Sequence, residues 1–180
     1  MRFVLDPPMN DDLFEEILGC WTEVTNAGGA VGFVPPVVPD DIRPTALKAL
    51  ARTRSGLPGS DGDPDAPDSL LVGLDEDGGV GALLILADSE SGLRAHWRWV
   101  VRVMVHPKHQ GRGYGMALLR AADEAARAQG LEALQLTCRG GTGVDAFYAR
   151  SGYREVGRVP RSIRVAPGDD RDEIYMIKWL

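Results

Sequence analysis

Between an apolar run and a helical pattern the chain reads "HQGRGYGM", His109 to Met116, with glycines at 111, 113 and 115. This spacing suits one kind of chemistry. A strand entering a helix through glycines leaves several backbone N–H groups without acceptors at the positive end of the helix dipole, and phosphate oxygens satisfy them. Spacing separates the phosphate-binding signatures that compete for the stretch. A P-loop closes on Gly-Lys-Ser/Thr, whereas Gly115 is followed by Met116. A dinucleotide fingerprint, G-x-G-x-x-G/A, meets Met116 or Leu118 where its last small residue belongs. Local charge agrees with an anion site: no acidic residue occurs between Glu90 and Asp123, while Arg94, Arg98, Arg102, Lys108, Arg112 and Arg120 fall inside that window.

Positioning such a loop requires a strand before it and a helix after it, and both are legible. From about Ala95 to Val105, the residues Trp97, Trp99, Val101, Val103 and Val105 alternate with Arg98, Val100, Arg102 and Met104, the period of a strand. A helix is expected from about Gly113 to Gln129, closed by Gly130. Upstream, Phe3–Leu5 reads as a short strand. Asn10 or Asp11 caps a helix whose apolar face carries Leu13, Phe14, Ile17, Leu18, Trp21 and Val24, and which stops at Gly28 and Gly29. A second helix starts at Asp40 or Asp41, with Pro44 in its first turn, and runs to about Arg54. Leu70–Leu74 and Val80–Ala87 form a hairpin around "DEDGG". After the glycine loop and its helix come a strand "EALQLTC", a short helix from Val144 to Arg150 and two final strands, giving the order β-α-α-β-β-β-α-β-α-β-β.

With 180 residues, 44% of them hydrophobic, the chain is expected to form a single domain, 1–180. No apolar run reaches membrane-spanning length and the N-terminus lacks a charged leader with an apolar core, so the expected location is cytoplasmic, away from membranes. Cys20 and Cys138 are far apart and outside any C-x-x-C spacing, which suits lone thiols rather than a disulfide framework or a metal site. Asp61, Asp63 and Asp65 mimic the start of a calcium loop, but Val72 stands where the closing glutamate belongs. A net charge of -6 argues against a nucleic-acid partner.

Gln110, Gly113 and Gly115 resemble the Q/R-x-x-G-x-G/A acyl-CoA signature of the GNAT acetyltransferase superfamily. The preceding "VMVHPKHQ" is similar to that family's strand ending in Val-x-Pro, and "AFYARSGYREVG" to its FY-x-x-x-G-(F/Y) motif. Together the resemblance spans roughly Trp97 to Val159. Within the superfamily, "AGGAVGF" and the C-terminal "IY" strand resemble the tabtoxin-resistance type. The resemblance implies an α/β (α+β) GNAT fold, a mixed central sheet of six or seven strands flanked by about four helices. It implies acetyl-CoA as cosubstrate, held by Met104, Val105, Gln110, Gly111, Arg112, Gly113, Tyr114 and Gly115, with Lys108 and His109 as further phosphate contacts. Superfamily members often pair through their C-terminal strands, so it also admits a homodimer.

The activity so implied is acetyl transfer by direct attack of a primary amine of a small molecule, of the detoxification or antibiotic-resistance type. The alternatives are a protein or peptide N-acetyltransferase and a non-catalytic acyl-CoA-binding domain. Tyr148 occupies the family's sulfur-facing tyrosine position and is the expected general acid, since a phenol can donate to a departing thiolate whose thiol pKa is about 8.5. The acidic side chains that could act as base in the nearest relatives fall at Trp99 and Thr137, neither of which can take a proton. His96, Glu23 and Asp145 are the remaining titratable candidates. A lysine-like amine is only about 0.04% free base at pH 7, an α-amine about 10%, so the second kind needs little help. Arg98, Arg102 and Arg139 could select an acceptor carrying a carboxylate.

Overall fold

The computed structural model describes residues 1–180. Seven strands form one mixed sheet in the order β1-β2-β3-β4-β5-β7-β6: β1 (Arg2–Leu5), β2 (Ser69–Leu74), β3 (Val80–Ala87), β4 (Trp97–Val105), β5 (Ala133–Arg139), β6 (Arg154–Ala166) and β7 (Asp169–Trp179). Four α-helices flank it: α1 (Asp11–Asn26), α2 (Pro39–Leu50), α3 (Tyr114–Ala128) and α4 (Val144–Arg150). All neighbouring strands are antiparallel except β4 and β5. No helix is long and apolar enough to cross a membrane.

The apolar periodicities become two cores, one on each face of the sheet. Helix α1 begins at the Asn10 cap, whose Oδ1 accepts from the Leu13 amide at 2.8 Å. It lays Phe14, Ile17, Leu18 and Trp21 on Leu70, Val72, Leu83 and Met104. On the other face Leu118, Leu119, Ala122 and Ala126 of α3 cover Leu84, Leu86, Val100, Leu134 and Leu136, joined by Tyr148 of α4. Strands β2 and β3 read as continuous apolar runs because both of their faces are covered. Helix α2 starts at Pro39, ahead of the expected Asp40 or Asp41, so Pro44 lies inside the helix rather than in its first turn, and the helix stops at Leu50.

Strand β4 departs from simple alternation. Leu83 pairs with Met104 but Ile85 pairs with Val101, so β4 carries one extra residue, and Arg102 there has φ 56°. The bulge turns Val101 and Arg102 to the α1 face and Val103 to the face of α3, so Val101 and Val103 do not share a face as expected. A left-handed backbone costs a residue with a Cβ about 1–2 kcal/mol. Part of the compensation is visible. The Arg102 guanidinium stacks over Trp21, with 5.0 Å to the ring centroid, and donates to the Val31 carbonyl at 3.2 Å.

Beside this bulge, β4 and β5 pair only from Trp97–Trp99 to Ala133–Gln135 and then diverge. The sheet is therefore slit from the middle of β4 to its end. His106 donates its amide to the Gly81 carbonyl on β3. Successive residues of a strand alternate direction, so Met104 also turns its peptide groups toward β3, while Val103 and Val105 turn theirs into the slit.

Candidate active site

Past Val105 the chain makes a 3-10 turn, Pro107–His109, and enters α3 through Gln110–Gly113. Gly111 and Gly113 have φ of 75° and 81°, and no atom lies within 4 Å of where a Cβ would stand on either. A side chain at these two positions is thus disfavoured by backbone conformation, and the space above them is open. The backbone amides from Gly111 through Met116 donate to no group of the protein; the next amide, Ala117, donates to the Gly113 carbonyl at 3.1 Å. The result is a row of free donors at the start of a fifteen-residue helix. The Gln110 side-chain amide holds the row in place by donating to the Val105 carbonyl at 2.9 Å.

The other flank of the loop is held from the β2–β3 turn. Asp75 Oδ2 meets Lys108 Nζ at 3.0 Å and His109 Nε2 at 3.1 Å, while Oδ1 accepts from the amides of Asp77 (3.1 Å) and Gly79 (2.9 Å). The Lys108 hydrogen bond above all, with those of His109 and Gly79, holds the Asp75 carboxyl well below the usual carboxylate range. The expected phosphate contacts from Lys108 and His109 are accordingly revised: both are committed to Asp75. Arg112 is exposed and in no ion pair, so it is the one of the three free to meet a phosphate. The basic window is also partly neutralised elsewhere, since Arg98 pairs with Asp88 at 3.0 Å.

A cavity of about 550 Å³ fills the slit, and its walls come from both faces of the sheet. On the α3 and α4 side it is bounded by Val103, Val105, the glycine loop, Phe147 and Tyr148; on the other side by Val24, Gly29, Ala30 and Val31 at the end of α1, with Thr137 and Arg139 of β5. No Asp or Glu lines it. His96 is exposed beside Trp97 at the closed end of the slit, and neither it, Glu23 nor Asp145 reaches the cavity wall. The expected base positions are likewise without a carboxylate: Thr137 lines the cavity and Trp99 does not.

Tyr148 is buried, 8% exposed, and packs edge-on against Phe147 and Tyr153 at centroid distances of 5.2 and 5.8 Å. Burial, and secondarily the nearby Cys138, pushes its phenol up from its ordinary value, so it carries its proton throughout the neutral range. It is a hydrogen-bond donor there and cannot serve as a base. Cys138, also on the cavity wall, donates to Met176 Sδ at 4.0 Å, and burial first, then Asp145, pushes its thiol up to about 11. A thiol that keeps its proton is a poor nucleophile.

Of the residues singled out from sequence, the structure brings Tyr148, Val105, Gln110, Gly111, Gly113, Tyr114 and Gly115 to one cavity. Arg112 lines a smaller neighbouring hollow of about 230 Å³, shared with Tyr114 and His109. Met104 is not brought there. It is buried beneath α1 at 1% exposure, because the bulge sets the phase of the strand and leaves Val103, not Met104, facing the slit beside Val105. The sequence reading also missed Val24 and the Gly29–Val31 segment as cavity wall. "AGGAVGF" marks a helix stop locally, and only the tertiary fold carries it over the slit.

The family model of the GNAT acetyltransferase domain matches residues 66–155. The chain belongs to the GNAT acetyltransferase family. The matched region runs from the β2–β3 hairpin through the glycine loop to the start of β6, so it contains the slit and Tyr148. Among solved structures the GNAT chain is similar to a provisionally assigned phosphinothricin N-acetyltransferase, with a TM-score of 0.77, 17% identity and 99% of both chains covered. It is also similar to a GCN5-related N-acetyltransferase from Kribbella flavida (TM-score 0.73, 21% identity, 99% of this chain and 98% of that one). A nourseothricin acetyltransferase matches over 66% of this chain and 69% of that one, with a TM-score of 0.55 and 25% identity. No curated protein matches significantly. The expected mixed sheet with four flanking helices is the fold observed, here with seven strands.

Proposed function

We propose that this chain is one domain that transfers an acetyl group from acetyl-CoA to a primary amine of a small molecule. The observation that carries this reading is the row of unpartnered amides from Gly111 to Met116 at the mouth of a slit that also holds a protonated tyrosine. Those amides and Arg112 suit a pyrophosphate, and the peptide groups of Val103 with the amide of Val105, whose carbonyl is taken by Gln110, suit the amide groups of a pantetheine arm laid beside them as an extra strand. The cavity is large enough for that arm and part of an acceptor.

In this reading the amine nitrogen attacks the thioester carbonyl carbon directly. The C–N bond forms, the C–S bond breaks, and Tyr148 donates its hydroxyl proton to the departing sulfur; the ammonium proton leaves to solvent, and the phenolate regains a proton from solvent before the next turnover. The cavity wall carries no carboxylate, and its one imidazole, His109, is held by Asp75, so the preferred acceptors are amines already partly neutral at working pH. The same lack of acids disfavours polycationic amines, which need carboxylates around them.

The similar solved proteins named for phosphinothricin and nourseothricin support a small acceptor. The deciding experiment measures free thiol released from acetyl-CoA with amino acids, polyamines, amine antibiotics and N-terminal peptides as acceptors. Release with small amines is expected. Release with peptides alone would favour the protein-acetylating alternative, and acetyl-CoA binding without any release would make the chain a binding module.

A further inference from the structure

Strand β5 turns alternate residues to the face of the sheet that α1 leaves uncovered. Gln135, Thr137 and Arg139 lie there, opposite Ile177, Tyr175 and Glu173 of β7, while Leu136 and Cys138 face α3 and α4. Thr137 is exposed and lines the slit, so it marks the point at which an acceptor approaching from this face would meet the cavity. The groups on either side of it share one property: Gln135 Nε2 and Arg139 Nε are both buried, and neither finds an acceptor within the protein. Trp97 Nε1, near Gln135 on the adjoining strand, is a third such donor. All three of these orphaned atoms are N–H groups.

Arg139 is the only charged side chain contributed to the cavity from this face. No carboxylate lies within 4.0 Å of it. Its cross-strand partner Glu173 instead accepts from the Tyr175 hydroxyl at 3.3 Å, and Asp169, which feels the Arg139 charge, is paired with Arg171. The two other arginines that could have served are committed. Arg98 is bound by Asp88 and by the Ala95 and Trp97 carbonyls, and Arg102 lies over Trp21 beneath the Val31 carbonyl. An unpaired buried donor costs free energy that a ligand acceptor recovers, and a guanidinium matches a carboxylate through two parallel hydrogen bonds.

We infer that the acceptor is an amino-acid-like amine whose carboxylate is recognised by Arg139, with Thr137 between that anion and the thioester. This rests on the acetyl-transfer reading above. Residues two apart on a strand are spaced on the order of 7 Å, so amine and anion belong to one small molecule. Such acceptors place their negative charge on a guanidinium that no cavity-lining acid occupies.

The test compares free α-amino acids with their α-carboxamides in the thiol-release assay, using the native chain, Arg139→Gln and Arg139→Lys. The readout is the ratio of kcat/KM for acid over amide, compared between proteins, so differences in intrinsic amine basicity cancel. The native ratio is expected to exceed that of Arg139→Gln by roughly tenfold to a hundredfold, the worth of a charged hydrogen bond, with Arg139→Lys between them. Equal ratios in native and variant chains, with amines still acetylated, overturn the inference and leave the transferase reading standing. A loss of acetyl-CoA affinity in Arg139→Gln also overturns it, by moving Arg139 to the other substrate. No release with any amine despite acetyl-CoA binding overturns the transferase reading and the inference with it. Thermal melting of both variants guards against misfolding.

Discussion

Replacing Gly113 with alanine separates the cost of backbone strain from the loss of a ligand site. Gly113 has φ 81° and open space where the Cβ would stand; Gly130, just past the far end of the same helix, has φ 73° and equally open surroundings. Forcing alanine into the left-handed region costs about 1–2 kcal/mol at either position, which for a domain of this size lowers Tm by about 2–8 °C. The two variants should therefore melt within a few degrees of each other. Only at Gly113 does the new methyl group stand in the turn that carries the free amides of residues 111–116. Weakening one amide-to-phosphate hydrogen bond, worth about 1.5–3 kcal/mol, reduces acetyl-CoA affinity about 10- to 150-fold. Titration calorimetry with acetyl-CoA on the native chain, Gly113→Ala and Gly130→Ala reads this directly. Indistinguishable dissociation constants for the three proteins would refute phosphate binding at this turn, whatever their melting temperatures.

Tyr148→Phe is expected to lower kcat by at least tenfold with little change in acetyl-CoA affinity, since only the hydroxyl is removed and the ring packing against Phe147 and Tyr153 stays; an unchanged kcat would take the phenol out of the mechanism. Asp75→Asn should raise the KM for acetyl-CoA more than it lowers kcat, because Asp75 fixes the Lys108–His109 approach to the glycine loop. Asp75 has a lowered folded-state pKa, so its contribution to stability is fully present above the unfolded value near 4 and fades as the pH falls below it. Chemical denaturation of native and Asp75→Asn chains from pH 7 to pH 3 should show their stability difference shrinking at the acid end, and a difference that grows there would contradict the ion pairs. Alkylation of Cys138 should be slow at pH 7 and accelerate toward pH 11, and acetyl-CoA should protect it because the thiol lines the cavity; rapid, unprotected labelling at neutral pH would contradict that placement.

Much of the fold was legible because its elements bury one face at a time. The Leu13-to-Val24 spacing gave α1, the alternation after Ala95 gave β4, and the glycines at 111 and 113 gave the turn between β4 and α3. The glycine loop and Tyr148 were read from short motifs whose residues are close in sequence and remain close in space. Three features were not legible. The bulge at Arg102 uses a non-glycine left-handed residue, for which the sequence has no marker, and it moved Met104 away from the slit. Asp75 pairs with Lys108 and His109 more than thirty positions away, so the acid-free window looked more cationic than it is. The wall formed by Gly29 to Val31 depends on how α1 crosses the sheet, which periodicity alone does not specify.

The divergence of β4 and β5 after three paired positions makes the sheet a partition with a doorway in it. A chamber with an entrance on either side of a wall needs no lid and no exchange of tenants: one reactant can stay lodged against the helices while another arrives across the bare strands. Hydrogen-bonded strands frame the doorway on either side, β1 to β4 and β5 to β6.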